Sequence, residues 1–226
     1  MIISVHIPKC AGTSFRHVLQ EMFGRRLWAN YGDDFSRAAV PAGTQCIHGH
    51  FNALAYSEIW PEARVLTMVR HPVQRVVSNY HHFRREPDGR NSASIRLQAE
   101  RMTLRQFAEL DEVRNEITRY TAGLRPADFA YVGVAERFAE SVLLLRRTLG
   151  VDKAISAIRD NVNPDRMTEN YELSAVDFDH IAELNSVDLE WYEAAVRNFD
   201  AVNCTFIADP VKLRAEVARF VEQLAV

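Results

Sequence analysis

Lys9, Gly12, Thr13 and Ser14 sit together in Pro8-Lys9-Cys10-Ala11-Gly12-Thr13-Ser14-Phe15, directly after the apolar run at residues 2–7. The order reads as strand, short loop, helix. The first turn of a helix leaves backbone N–H groups without intrahelical partners, and the helix dipole makes that end positive. A phosphate or sulfate group is a natural occupant of such a turn. Here Lys9 would add a mobile charge, Thr13 and Ser14 hydroxyl donors. In the alternative reading Thr13 and Ser14 merely cap a helix.

A second group of the same kind follows the run Arg64–Val69, which leads directly into Arg70. In an open α/β sheet ligands bind at the carboxyl ends of strands, so Arg70 stands where a ligand would be. Pro72 then opens a helical pattern over 73–83. Its apolar positions are Val73, Val76, Val77 and Tyr80, and Arg75, Ser78, Asn79 and His82 fall on another face. Arg70 and Ser78 can converge on a phosphate, the guanidinium as a planar fork. The alternative has Arg75 and Ser78 facing water and Arg70 paired with a carboxylate. A third group is the pair His48 and His50 in Cys46-Ile47-His48-Gly49-His50. A His-x-His pair after a strand suits acid–base chemistry, metal ligation or a structural role.

The loop is not a Walker A loop. That pattern places Lys immediately before Ser or Thr, whereas Lys9 precedes Gly12 and no glycine stands five residues before Gly12. An acidic strand end for magnesium is also missing: one candidate strand ends in Arg70, and the strand at 130–134 leads to Ala135-Glu136. Two separated anion groups fit a ligand with two separate phosphates better than a triphosphate with a metal. No metal site is expected.

The elements that must position these groups alternate. Strands are expected at 2–7, 44–48, Arg64–Val69, 130–134 and 203–207, short and apolar as buried parallel strands are. Helices are expected at 13–23, 73–83 and 136–149, the last ending at Gly150. Thr103 and Gln106 form a capping box for a helix running into Leu110. Helices at 177–199 and 210–224 make the C-terminal region helical. Loops fall at 86–94 and 161–174. The pattern predicts an α/β fold, a central, mostly parallel sheet flanked by helices, in one domain over 1–226.

Composition excludes several classes. The chain has 226 residues, 47% hydrophobic and 25% charged, with a formal net charge of −3, which gives no general case for nucleic acid. Between Arg70 and Arg105 eight arginines face three acids, a balance suited to a small polyanion or to solvated helix faces. Cys10, Cys46 and Cys204 are too few and too scattered for a disulfide framework or a zinc site. No basic-then-apolar leader opens the chain and no apolar run approaches the length of a membrane span, so no integral membrane segment and a cytoplasmic location are expected.

Residues 6–15, His-Ile-Pro-Lys-Cys-Ala-Gly-Thr-Ser-Phe, resemble the 5′-phosphosulfate loop of the sulfotransferases that use 3′-phosphoadenosine-5′-phosphosulfate (PAPS). Residues 69–80 resemble their 3′-phosphate motif R-x-P-x-x-R-x-x-S. Residues 131–138 are similar to the V-G-x-x-E-R-F segment of that family, and Asp188 with Tyr192 to its D-x-x-x-Y helix. The likeness is closest to carbohydrate sulfotransferases of the heparan sulfate 2-O type. It implies the P-loop-nucleotide-kinase-like sulfotransferase fold, PAPS as donor and adenosine 3′,5′-bisphosphate as product. It further implies that Lys9 stabilises the leaving phosphate. Lys9, Cys10, Ala11, Gly12, Thr13 and Ser14 would form the 5′-site, and Arg70 and Ser78 the 3′-site. Arg166 would close over the nucleotide. The acceptor hydroxyl must lose a proton, and the resemblance gives that work to His48, with His50 assisting or touching the acceptor. A carbohydrate or small hydroxyl compound is the expected acceptor, with Arg84, Arg85 and Arg90 suited to a negatively charged one. Two other readings stay open: an ATP-dependent phosphotransferase and a nucleotide-binding module without catalysis.

Overall fold

A computed structural model describes residues 1–151, 170–206, 215–219 and 221, with the backbone alone at 203–206. Five short strands form one sheet: β1 (Ile2–Val5), β2 (Leu27–Ala29), β3 (Cys46–Gly49), β4 (Arg64–Val69) and β5 (Tyr131–Val134). All pairings are parallel, in the order β2-β3-β1-β4-β5. The helices are α1 (Gly12–Phe23), α2 (Pro72–Arg85), α3 (Ser92–Ala99), α4 (Leu104–Ala108), α5 (Glu116–Thr121), α6 (Phe138–Leu149), α7 (Ala175–Leu184) and α8 (Ser186–Phe206). None of the described helices is long and apolar enough to cross a membrane.

The central position of β1 follows from its residues. Ile3 and Val5 are buried on one face and Ser4 on the other, so the strand has no exposed side, as a strand between two parallel neighbours requires. Alternation then divides the core. Cys46, Leu66 and Met68 pack with Phe15, Val18 and Leu19 of α1 and with Val142 and Leu145 of α6. Ile3, Val5, Ile47 and Val132 pack on the opposite face with Ile117 and Trp191. A third cluster gathers Val73, Val76, Val77 and Tyr80 of α2 with Leu97, Phe107 and Ile181. At sheet–helix contacts of this density a buried Leu or Val contributes about 1.5–3 kcal/mol.

Several expectations change. Strand β2 is not among the expected strands; it is a three-residue edge strand, partly buried and carrying one aromatic, too short to show a periodicity of its own. The strand expected at 203–207 is instead the end of α8, which runs to Phe206; Ile207 lies outside the described residues. The single helix expected at 177–199 is two, broken at Asn185. Asn185 is fully buried: its Nδ2 donates to Ile181 O at 2.9 Å and its Oδ1 accepts from Asn115 N at 3.0 Å. Those tertiary bonds satisfy an amide that would otherwise compete with the helix backbone. The loop expected at 86–94 ends earlier, because Asn91 accepts from Ser94 N and caps α3. Thr103 and Gln106 do form a reciprocal cap, over a helix of only five residues.

Candidate active site

The connection from β1 to α1 is strained. Lys9 and Ala11 have φ of 65° and 60°, left-handed values that cost a residue with a Cβ of order 1–3 kcal/mol and persist only where the surroundings enforce them. Ala11 is the N-cap of α1 and provides no side-chain cap. No side-chain oxygen of the cap residue therefore occupies the positive end of the helix. Gly12 is required here, since a Cβ would lie 1.8 Å from the His6 ring.

Arg70 leaves the end of β4 and is 9% exposed, its guanidinium 5.7 Å from the Tyr171 ring centroid. The backbone behind it is held by a carboxylate: Glu136 Oε1 accepts from His71 N at 2.8 Å, and Glu136 Oε2 accepts from the Tyr192 hydroxyl at 3.2 Å. Asp188, one turn before Tyr192, accepts from Ile117 N and Thr118 N at 2.8 Å each and caps α5. The two short sequence segments at 131–138 and 188–192 are thus scaffold for the strand end carrying Arg70 and for α5.

One cleft of about 760 Å³ gathers Lys9, Ala11, Gly12, Thr13 and Ser14 from the first loop with Arg70, Ser78, Asn79 and His82 from the second. Lys9 is pushed down to about 8, first by burial and then by Arg85 and Arg70. Positive charge is therefore concentrated here beyond what Glu86 offsets, and an anion would relieve it. Cys10, expected among the binding residues, is fully buried beneath the loop and absent from the cleft wall. Burial raises its thiol to about 12, which removes thiolate chemistry. Arg166 lies outside the described residues. Arg85 and Arg90 line the cleft, but Arg84 does not; its guanidinium sits 5.5 Å from the Tyr80 ring.

The histidine pair divides in two. His48 is fully buried and absent from the cleft wall. Its Nδ1 shares a hydrogen bond of 2.9 Å with Ser4 Oγ, and burial, then His50, press its pKa down to about 3. Of the two rings expected to serve the acceptor, His48 is thus set behind the cleft wall, and a base must come within reach of the proton it removes. The cause is that both faces of β3 are covered, so that all four of its residues are buried, position 48 among them. His50, past the strand end, is exposed and lines the cleft. Its Nδ1 lies 2.9 Å from the His6 carbonyl. A carbonyl only accepts, so Nδ1 carries the proton and the Nε2 lone pair of the neutral ring is left for the cleft.

Three further groups were missed in the sequence. His6 and Tyr31 line the cleft beside His50. Arg75, read as facing another side of α2, is fully buried in an ion pair with Glu116 and donates to Val113 O at 2.6 Å. Gln74 grips the backbone of Tyr171 at both ends, donating to its O at 3.0 Å and accepting from its N at 2.7 Å. The polar face of α2 was visible; that α5 and the chain around 171 would cover it was not. Among the described residues, no group of three or more His, Cys, Asp or Glu side chains is arranged to hold a metal.

The family model described as the sulfotransferase family matches residues 1–193. The chain belongs to the sulfotransferase family. It is accordingly a PAPS-dependent sulfotransferase, and the residues present fit that donor: a cleft with two cationic anchor points and a helix start between them. No curated protein matches the sequence. A solved structure similar to this sulfotransferase is mouse sulfotransferase SULT7A1 complexed with PAP, at 14% identity and a TM-score of 0.49, covering 95% of this chain and 87% of that one.

Proposed function

We propose that this sulfotransferase moves the sulfonate of PAPS to a hydroxyl of a negatively charged carbohydrate, with His50 as general base. The observation that carries the reading is the shared cleft of Lys9, Gly12, Thr13, Ser14, Arg70, Ser78 and His50. PAPS, when bound, supplies an activated sulfonate and departs as adenosine 3′,5′-bisphosphate. Lys9 and the first-turn groups of α1 hold the 5′-phosphate and stabilise the charge that builds there. Arg70 and Ser78 hold the 3′-phosphate. His50 takes the acceptor proton on Nε2, as its Nδ1–H contact with the His6 carbonyl favours. Arg85 and Arg90, which line the same cleft, favour an acceptor carrying carboxylate or sulfate groups.

A thermal-shift comparison tests the donor. Adenosine 3′,5′-bisphosphate raises the melting temperature more than ATP with magnesium does; the reverse order overturns the assignment. Labelled sulfonate transfer from PAPS to acidic and neutral glycans then tests the acceptor class, and equal transfer to both removes the role given to Arg85 and Arg90.

A further inference from the structure

The face of the cleft around His50 is built from rings. His6 lies between the two histidines of β3 and its exit, nearly parallel to both, with centroids 4.3 Å from His50 and 5.0 Å from His48. Tyr31 closes the group edge-on, 5.0 Å from His50 and 5.7 Å from His6, with its hydroxyl 2.9 Å from His6 Nδ1. The loop bearing Tyr31 is itself pinned: Asn30 donates to the Tyr56 hydroxyl at 2.7 Å and to Asp34 O at 3.0 Å, and its N donates to His48 O at 2.8 Å. On its other side the His6 ring occupies the space that Gly12 leaves by having no Cβ.

We propose that His6, locked by Tyr31, is a positioning residue that sets the ring plane and tautomer of His50 and ties it to the phosphate loop. The proposal rests on His50 being the base. Two separate parts of His6 act. Its carbonyl accepts from His50 Nδ1, and its own N donates to Gly49 O at 2.8 Å, which fixes that carbonyl. Its ring covers one face of His50 and keeps water from it. The stack also selects charge. His6, His48 and His50 each have a lowered pKa, burial being the largest cause in every case, and His6 is further lowered by His50, His48, Arg16 and Lys9. Tyr120 from α5 and Tyr31 are the other titratable rings facing His50, at 6.3 Å and 5.0 Å. A stack with so many cationic neighbours keeps its rings neutral, the state in which a base accepts a proton. Because His6 wedges against Gly12, a shift of the loop that carries Lys9 moves the ring that aims the base.

The ring and the carbonyl are separable by substitution, because His6→Ala removes only the ring. In the full-length protein with adenosine 3′,5′-bisphosphate bound, 15N-histidine spectra read the tautomer and titration of His50, assigned by the resonance lost in His50→Ala. The wild-type ring holds its proton on Nδ1 and titrates below the ordinary imidazole value. In His6→Ala one face becomes wet, so the pKa climbs by about half a unit or more, while the remaining carbonyl keeps the proton on Nδ1. His6→Phe keeps the stack and restores the low value. Tyr31→Phe, at a position 43% exposed where substitution leaves the fold intact, frees the His6 ring and moves His50 the same way by a smaller step. An unchanged His50 in both His6→Ala and Tyr31→Phe, or no restoration by His6→Phe, overturns the proposal. Should His6→Ala not fold, Tyr31→Phe alone decides. The base assignment is read separately: PAPS turnover within tenfold of wild type in His50→Ala sinks that assignment and leaves the spectroscopic result standing.

Discussion

The two walls of the cleft are made differently. The wall proposed for the donor comes from two continuous segments, each a strand end followed by a helix start, and its polar groups are backbone N–H groups, short hydroxyls and the two cations Lys9 and Arg70. The wall proposed for the acceptor is assembled from residues 6, 31 and 50, each just past the end of a different strand, and Tyr120 of α5. The donor wall is rigid because its strain is enforced by neighbours: Lys9 and Ala11 hold left-handed backbone, and Glu136 fixes the chain after Arg70. The acceptor wall is rigid because aromatic rings stack. The first arrangement suits a ligand whose phosphates never vary; the second can be retuned at Tyr31 or Tyr120, while His6, packed against Gly12, joins the two.

That contrast can be broken by substitution. His50→Ala should lower kcat by about 10²–10⁴-fold while leaving bisphosphate affinity within threefold; a matching loss of affinity in calorimetry would mean the walls are not independent. Arg75→Ala should instead damage the donor wall through the fold. It leaves the part-buried Glu116 without this partner and empties a fully buried site, at a cost of up to about 3 kcal/mol, seen as a drop in the urea midpoint; an unchanged midpoint would deny the pair its structural role. Lys9→Ala should lower kcat by about 10²–10³-fold with the melting temperature within a few degrees of wild type or above it, because a buried charge is removed. Less than a tenfold loss would take Lys9 out of the mechanism.

The smallest effect is a pH dependence. In the free protein Lys9 loses its proton as pH rises through about 8. A bound polyanion favours the charged form and raises that value. Above pH 8 binding must therefore take up a proton, and affinity weakens as pH rises, by at most about tenfold per unit. Calorimetry in buffers of different ionisation heat checks the uptake, which should vanish in Lys9→Arg. The acid limb of kcat/KM, by contrast, belongs to the other wall: His50 is lowered by burial, so activity should persist below pH 6.5 and fall only at more acid pH.

Legibility followed the same division. Lys9, Gly12, Thr13, Ser14, Arg70 and Ser78 could be read as anion-holding groups because each set is local: a strand, a turn and a helix start fix their relation within about a dozen residues. His48 and His50 were visible as a pair, but β3 ends at Gly49, which leaves the first within the packed strand and the second beyond it, at the cleft. Tyr31 follows a three-residue strand with no pattern to announce it, and His6 reads as an ordinary strand residue until Gly12 is seen to leave room for its ring.

The amino-acid order alone determined the strand–loop–helix units, their parallel arrangement and the family to which they belong, since these depend on periodicity and on short motifs. Which histidine lines the cleft, which arginine of α2 is sealed against Glu116, and which carboxylate holds the chain after Arg70 were decided by the tertiary structure. Those outcomes depend on burial and on partners 41 to 65 residues away in the chain, and no local pattern encodes distances that only the packed sheet creates.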